Sequence, residues 1–267
     1  MLITDRFVLL NLPKTGTTFA RTAIRTLYKN KESKLNSFLV HTGLMKPSVE
    51  ELMMPKIDEI VNYNIKDQHG TYRQIPIEHN HKPIITITRN PFTRFLSGYY
   101  FKWWVDHPAA DLKVIKETFP KFPDISINEY YEMGLKFGRK NRLKDIIPKY
   151  EIGGMSIQFI QFYAKNPESL LSEIDDNYFN TKKYKEDFKH IRFIHQEFLV
   201  DEIIEFLVSV GFDKKDLSFI NDLPRINVTK TENINLTNFR NYFSEELVQK
   251  IVKEERLLFK MFPEYLP

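Results

Sequence analysis

The stretch "FVLLNLPKTGTTFARTAIRTLY", residues 7–28, constrains the fold more than any other part of the chain. An apolar run suited to a buried strand meets Pro13, Lys14 and Gly16, flanked by threonines, and a helical pattern begins at once. Alternating strand and helix signals of this kind build sheets covered by helices. The corner also gathers the free N–H groups of a first helical turn, the positive end of the helix dipole, the Lys14 ammonium and the hydroxyls of Thr15, Thr17 and Thr18. Such a collection suits an anion, and Gly16 allows the close backbone approach an anion requires. The competing reading is an ordinary turn with a threonine cap and a solvated lysine.

Strands are expected at 7–12, 37–41, 83–89 and 191–196, where short runs are rich in β-branched or aromatic residues. Helices are expected at 16–29, 91–104, 127–137, 156–164, 197–210 and 244–261, the last capped by Ser244. The fold class is therefore α/β, with three layers and a mostly parallel central sheet flanked by helices. No linker clearly divides the 267 residues, so a single domain is expected, with a helical and loop insertion on the substrate side around 105–185.

Composition removes several functions. The absence of cysteine excludes disulfides, thiolate metal sites and Cys nucleophiles. A balance of 39 Lys+Arg against 35 Asp+Glu gives a net charge of +4, which fits a local anion site better than a surface that coats nucleic acid. The start "MLITDRF" does not read as a signal peptide, and no run nears the roughly 18 apolar residues of a membrane span, so a cytoplasmic protein is expected.

The corner is not a Walker A loop, because Lys14 precedes the glycine and no earlier glycine stands at the required spacing. A second constellation lies at "PIITITRNPFTRFLSGYYFKWW", residues 83–104. Arg89 ends an apolar strand, Asn90-Pro91 starts a helix, and Ser97 follows eight residues after Arg89. Strand C-termini are where open parallel sheets bind ligands, so Arg89 and Ser97 are candidates for holding a second phosphate. The neighbouring Tyr99, Tyr100 and Phe101 read as core.

The pair "PKTGTT" and "RNPFTRFLSGYY" resembles the 5'-phosphosulfate loop and the 3'-phosphate motif of sulfotransferases that use 3'-phosphoadenylyl sulfate (PAPS), especially the carbohydrate branch. "HIRFIHQEFLVDEIIEFLVSVGF" is similar to the family's strand, acidic residue and helix unit, and "LPRINVTK" to its late cofactor loop. The resemblance implies a P-loop NTPase-like sulfotransferase fold. It also implies that Lys14, Thr15, Gly16, Thr17 and Thr18 wrap the 5'-phosphosulfate while Arg89 and Ser97 bind the 3'-phosphate. Arg225 and Lys230 are further candidates to close over the nucleotide, with a plain basic loop as the alternative. The product would be adenosine 3',5'-bisphosphate (PAP), and no metal is expected.

Transfer to a hydroxyl needs a base, and residues 19–31 contain no acid, which directs attention to the seven histidines, or to Glu32 if the first helix runs longer. His69 is the first choice because it stands 20 residues before Arg89, near where related carbohydrate sulfotransferases carry a His followed by Gly. His41 is the second choice, as the end of the expected strand 37–41. His79 and His81 are spaced like metal ligands but lack a third and read as a solvated turn. Arg21 and Arg25 share a helix face, either solvated or binding an anionic acceptor. The acceptor is expected to be a hydroxyl-bearing molecule, an acidic glycan or a small metabolite drawn to the basic stretch of the insertion. The alternative function is a P-loop-like nucleotide-binding protein or small-molecule kinase.

Overall fold

The computed structural model describes residues 1–55, 66–139, 143, 146–224 and 238–267. The chain forms two compact units, one holding Met1–Arg89 and the stretch from His190, the other holding Asn90–Lys189 and the C-terminal stretch.

The first unit is built on a five-stranded sheet of order β3-β1-β2-β6-β7. Its strands are β1 (Leu2–Thr4), β2 (Val8–Leu10), β3 (Val49–Glu51), β6 (Ile84–Thr88) and β7 (Ile191–His195). A separate antiparallel ribbon pairs β4 (Met54–Pro55) with β5 (Lys66–Asp67). In the main sheet, β6 runs parallel to β2 and to β7, whereas β1 runs antiparallel to β2 and β3. The sheet is therefore mixed, and the expected parallel arrangement is confined to β2-β6-β7. Strands β1 and β3 were not expected: β2 is equally short but sits in the longer strand-like run 7–12, whereas "LIT" and "VEE" lie in no such run.

The helix Thr17–Lys31 buries Phe19, Ala20, Ala23, Ile24 and Leu27, a helical stripe, in one cluster with Leu9, Ile85 and Ile87 of the sheet. Ile203, Phe206 and Leu207 of the helix Leu199–Ser209 join the same cluster. Each Leu, Ile or Phe side chain among them contributes about 1.5–3 kcal/mol by leaving water. Arg21 and Arg25 both form ion pairs with Glu51 of β3. Their shared face thus meets an acid of the chain itself.

Residues 37–41 are a correction, since Lys34–His41 is helical. The Ser33 hydroxyl accepts the Asn36 N–H at 3.1 Å and starts the helix, and three apolar residues in a row cannot outweigh that cap. No residue of this helix is buried, although Leu35, Phe38 and Leu39 stand at helical spacing. His41 is exposed at the helix end and does not end a sheet strand.

The second unit is helical. The helix Pro91–Phe101 starts with the Asn90 side chain accepting the Phe92 N–H at 2.9 Å and with proline in its first turn. It stops at Lys102, which takes a left-handed conformation (φ +54°), and Trp103–Asp106 follows. The expected helix 91–104 is therefore two helices. Ile127–Met133 runs into a π-helical turn, Gly134–Arg139. The expected helix 244–261 breaks at Glu255 into Glu245–Glu254 and Arg256–Met261, with Ser244 accepting the Leu247 N–H as anticipated. Part of the 105–185 stretch has its own core of Ile115, Phe119, Phe122, Ile125 and Met133 around Trp104. Tyr99 donates its hydroxyl to the Ile125 carbonyl at 2.8 Å, but Phe101 is 59% exposed and is not core. No helix among the described residues is long and apolar enough to cross a membrane.

Candidate active site

The chain leaves β2 at Leu10 and reaches the first helix through residues 11–16. Two backbone positions in that loop are left-handed, Lys14 (φ +66°) and Gly16 (φ +96°). For lysine this conformation costs on the order of 1 kcal/mol or more, so the surrounding structure must impose it. Arg89, immediately after β6, supplies part of that restraint by donating from its guanidinium to the Lys14 carbonyl at 3.2 Å. A Cβ on Gly16 would lie 3.2 Å from Cγ of Gln196 and 3.6 Å from Cδ2 of Leu199, a close approach only glycine accepts without adjustment.

Gly16 caps the helix without a side-chain hydrogen bond, and the first turn carries no acid. The first N–H groups therefore present the positive helix end with no carboxylate of that turn to balance it. Lys14 stands close to the same point, and burial, then the neighbouring Arg89 charge, lower its pKa from 10.5 to about 8. Two cations beside an N-terminus repel one another, and a polyanion would relieve the cost. Thr15 is buried and donates its hydroxyl to the Leu12 carbonyl at 2.9 Å, so it shapes the loop itself. Thr17 is buried and Thr18 half-buried at the helix start. This donor set suits a polyanion.

His69 comes to the same loop. Its Nδ1 lies 2.6 Å from the backbone carbonyl of Asn11, which only accepts, so Nδ1 carries the proton and Nε2 is the basic ring nitrogen. The Asn11 side chain donates to the Gln68 carbonyl at 3.3 Å and clamps the same segment. Asn11 is fully buried and had not been singled out, because its partners lie 57 and 58 positions away in sequence.

A second group was also missed. His195, the last residue of β7, pairs in register with Thr88 of β6. Its ring Nδ1 lies 2.9 Å from Glu202 Oε1, and its backbone N–H donates to Glu202 Oε2 at 2.7 Å. A histidine at a strand end with a glutamate seven residues on was the available signal, but that spacing crosses a turn and follows no regular period.

Ser97 belongs to the second unit and is buried on the helix Pro91–Phe101. On that helix Arg94 donates to the Gln158 side chain. Arg225 and Lys230 lie outside the described residues. His79 ends the short turn Ile77–His79 and His81 follows it, and no group of three or more His, Cys, Asp or Glu placed to hold a metal occurs among the described residues.

Neither the curated proteins nor the solved structures yielded a match to this chain. The model of the sulfotransferase family, however, matches residues 3–254, a span that contains the Lys14 loop, His69, Arg89 and the His195 pair. The chain belongs to the sulfotransferase family.

Proposed function

We propose that the protein transfers the sulfonate group of PAPS to a hydroxyl of an acceptor, a carbohydrate being the class that the resemblance favours. The carrying observation is the loop itself, where Lys14, lowered to about 8 by burial and Arg89, stands beside a helix start whose N-cap is Gly16, which has no side chain to cap it. PAPS is anionic at two separated points, and the residues present suit it. Lys14, Gly16, Thr17, Thr18 and the backbone of Thr15 would hold the 5'-phosphosulfate, while Arg89 and Ser97 would hold the 3'-phosphate. Arg225 and Lys230, outside the described residues, remain candidates to close over the nucleotide, with a plain basic loop as the alternative.

When bound, PAPS supplies an activated sulfonate whose leaving group is a stable bisphosphate. Lys14 neutralises charge at that leaving group, a role that needs no metal ion. His69 receives the acceptor hydroxyl's proton at Nε2, the nitrogen that the Asn11 carbonyl leaves basic by holding Nδ1–H. Residues 105–185 would meet the acceptor, and Lys113, Lys116 and Lys121 give that stretch a charge suited to an acidic glycan.

The test is a radiolabelled PAPS transfer screen over glycans, phenols and lipids, beside melting curves with PAP or with ATP and Mg²⁺. The expected result is transfer to a glycan and a higher Tm with PAP in the absence of Mg²⁺. Stabilisation by ATP and Mg²⁺ alone, without transfer, would replace this reading with a nucleotide-binding protein or kinase.

A further inference from the structure

We propose that His195 and Glu202 are positioning residues for the Lys14–Gly16 loop, acting through Gln196, and that they set the affinity of the site for its nucleotide. The inference rests on the reading of this loop as the phosphosulfate cradle.

Glu202 grips a single residue at two points. One carboxylate oxygen accepts the His195 backbone N–H at 2.7 Å, and the other accepts its ring Nδ1–H at 2.9 Å. Both the direction of the chain leaving β7 and the plane of the imidazole are thereby determined. Each partner is about three-quarters covered, with side-chain exposures of 25% and 26%, so water competes less for these bonds than at an open surface. A carboxylate aligned on a histidine N–H is also the arrangement that holds a ring in one tautomer.

The next residue makes the connection to the loop. Gln196 opens the turn Gln196–Phe198, and its Cγ lies 3.2 Å from the Cβ position of Gly16, while Leu199 approaches the same point to 3.6 Å. Gly16 holds the left-handed conformation that aims the first N–H groups of the helix Thr17–Lys31. The loop is thus restrained at two places by residues following neighbouring parallel strands. Arg89, after β6, binds the Lys14 carbonyl, and Gln196, after β7, packs on Gly16. The first contact is polar and directional, the second one of shape. Shape contacts hold only when their backbone is fixed, and the Glu202 grip on His195 fixes it.

Nothing in this arrangement requires His195 to touch the reacting atoms. Its loss is expected to misaim the first-turn donors, which weakens binding of the anionic nucleotide, since small displacements of positioning groups have large effects. A role confined to folding would instead lower stability and leave the affinity of the folded protein unchanged.

The experiment is calorimetric titration with PAP, together with kcat and KM for PAPS, on wild type, His195→Ala, His195→Asn, Gln196→Ala and the double variant H195A/Q196A. His195→Ala and Gln196→Ala are each expected to weaken PAP binding about ten-fold and to raise KM correspondingly, with kcat changed less. The double variant is expected to be little worse than either single one, because both act along one chain of contacts. His195→Asn, whose amide N–H can still reach Glu202, is expected to recover most of the affinity. Should His195→Ala fail to fold, Glu202→Gln, which keeps one acceptor oxygen, is expected to show the same loss in milder form. Variants that melt lower yet bind PAP like wild type, or a double variant with fully additive losses, would overturn the inference. Absence of PAP binding by wild type would instead remove the nucleotide reading on which it depends.

Discussion

The helices Thr17–Lys31 and Gly154–Tyr163 start with the same need and meet it in opposite ways. Each exposes N–H groups with no partner inside the helix and gathers positive potential at its first turn. At Gly154–Tyr163 the chain supplies its own acceptor. Glu255, fully buried between two C-terminal helices, accepts the N–H groups of Met155 and Ser156 at 3.0 and 2.6 Å. Gly153 makes room for it, since a Cβ there would lie 2.2 Å from the carboxylate. At Thr17–Lys31 the N-cap is Gly16, with no side chain to offer, no acid stands in the first turn, and Lys14 and Arg89 add positive charge. The contrast teaches that an N-terminus filled from within is a fixture of the fold, whereas one ringed with cations is suited to an anion from outside.

The largest expected effect is on turnover. Lys14→Ala should lower sulfate transfer at least 100-fold, the scale seen when a group stabilising a developing anion is removed, with a smaller loss of nucleotide affinity. Steady-state kinetics with labelled PAPS checks this, and equal activity in the variant would break the assignment of Lys14 to the leaving group. The counterpart at the other helix should affect stability alone. Glu255→Ala leaves the half-buried Met155 and buried Ser156 N–H groups without that acceptor and should cost about 2–4 kcal/mol in urea unfolding while the folded protein still binds PAP normally. An unchanged unfolding midpoint would show that the second N-terminus is no fixture.

The pH dependence sharpens the comparison further, because the two groups shift stability in different windows. Without nucleotide, Lys14 holds its proton to about pH 8 in the folded protein and to 10.5 in the unfolded chain. Between those values the unfolded chain binds more protons, so the Lys14 contribution to stability rises with pH there and is lost as pH falls through 8. Bound PAP favours the charged lysine, so its affinity should fall as pH rises above 8 with uptake of a proton on binding. Lys14→Met should abolish both effects. Burial raises the Glu255 pKa above 4.5 despite its hydrogen bonds and the nearby Arg94. Its contribution is therefore complete below 4.5 and is lost as pH rises through the raised value. Unfolding curves across pH for Glu255→Gln isolate that slope.

Legibility in the sequence followed the range of the interactions. The Lys14 loop, β2, β6, β7 and the Ser244 cap were readable because each depends on neighbours within a few positions. The three-residue strands β1 and β3 were not, since their place comes from pairing with a partner strand. For the same reason the Arg21 and Arg25 face was visible, but its partner Glu51 on β3 was not. Lys34–His41 was misread because the Ser33 cap, five positions before the apolar run Phe38–Val40, decided its conformation. The break at Glu255 arises from a carboxylate reaching a helix about 100 residues earlier, which no local pattern records. His69 could be nominated from sequence, whereas the Asn11 carbonyl that sets its tautomer required the fold.

Titration of the purified protein with PAP in a calorimeter, at pH 7 and without Mg²⁺, tests the central claim most directly. The account predicts a saturable heat of binding at one site, weakened about 10–100-fold in Arg89→Ala as a charge-assisted contact is lost. The absence of any heat from wild type, or equal affinity in wild type and Arg89→Ala, would contradict it.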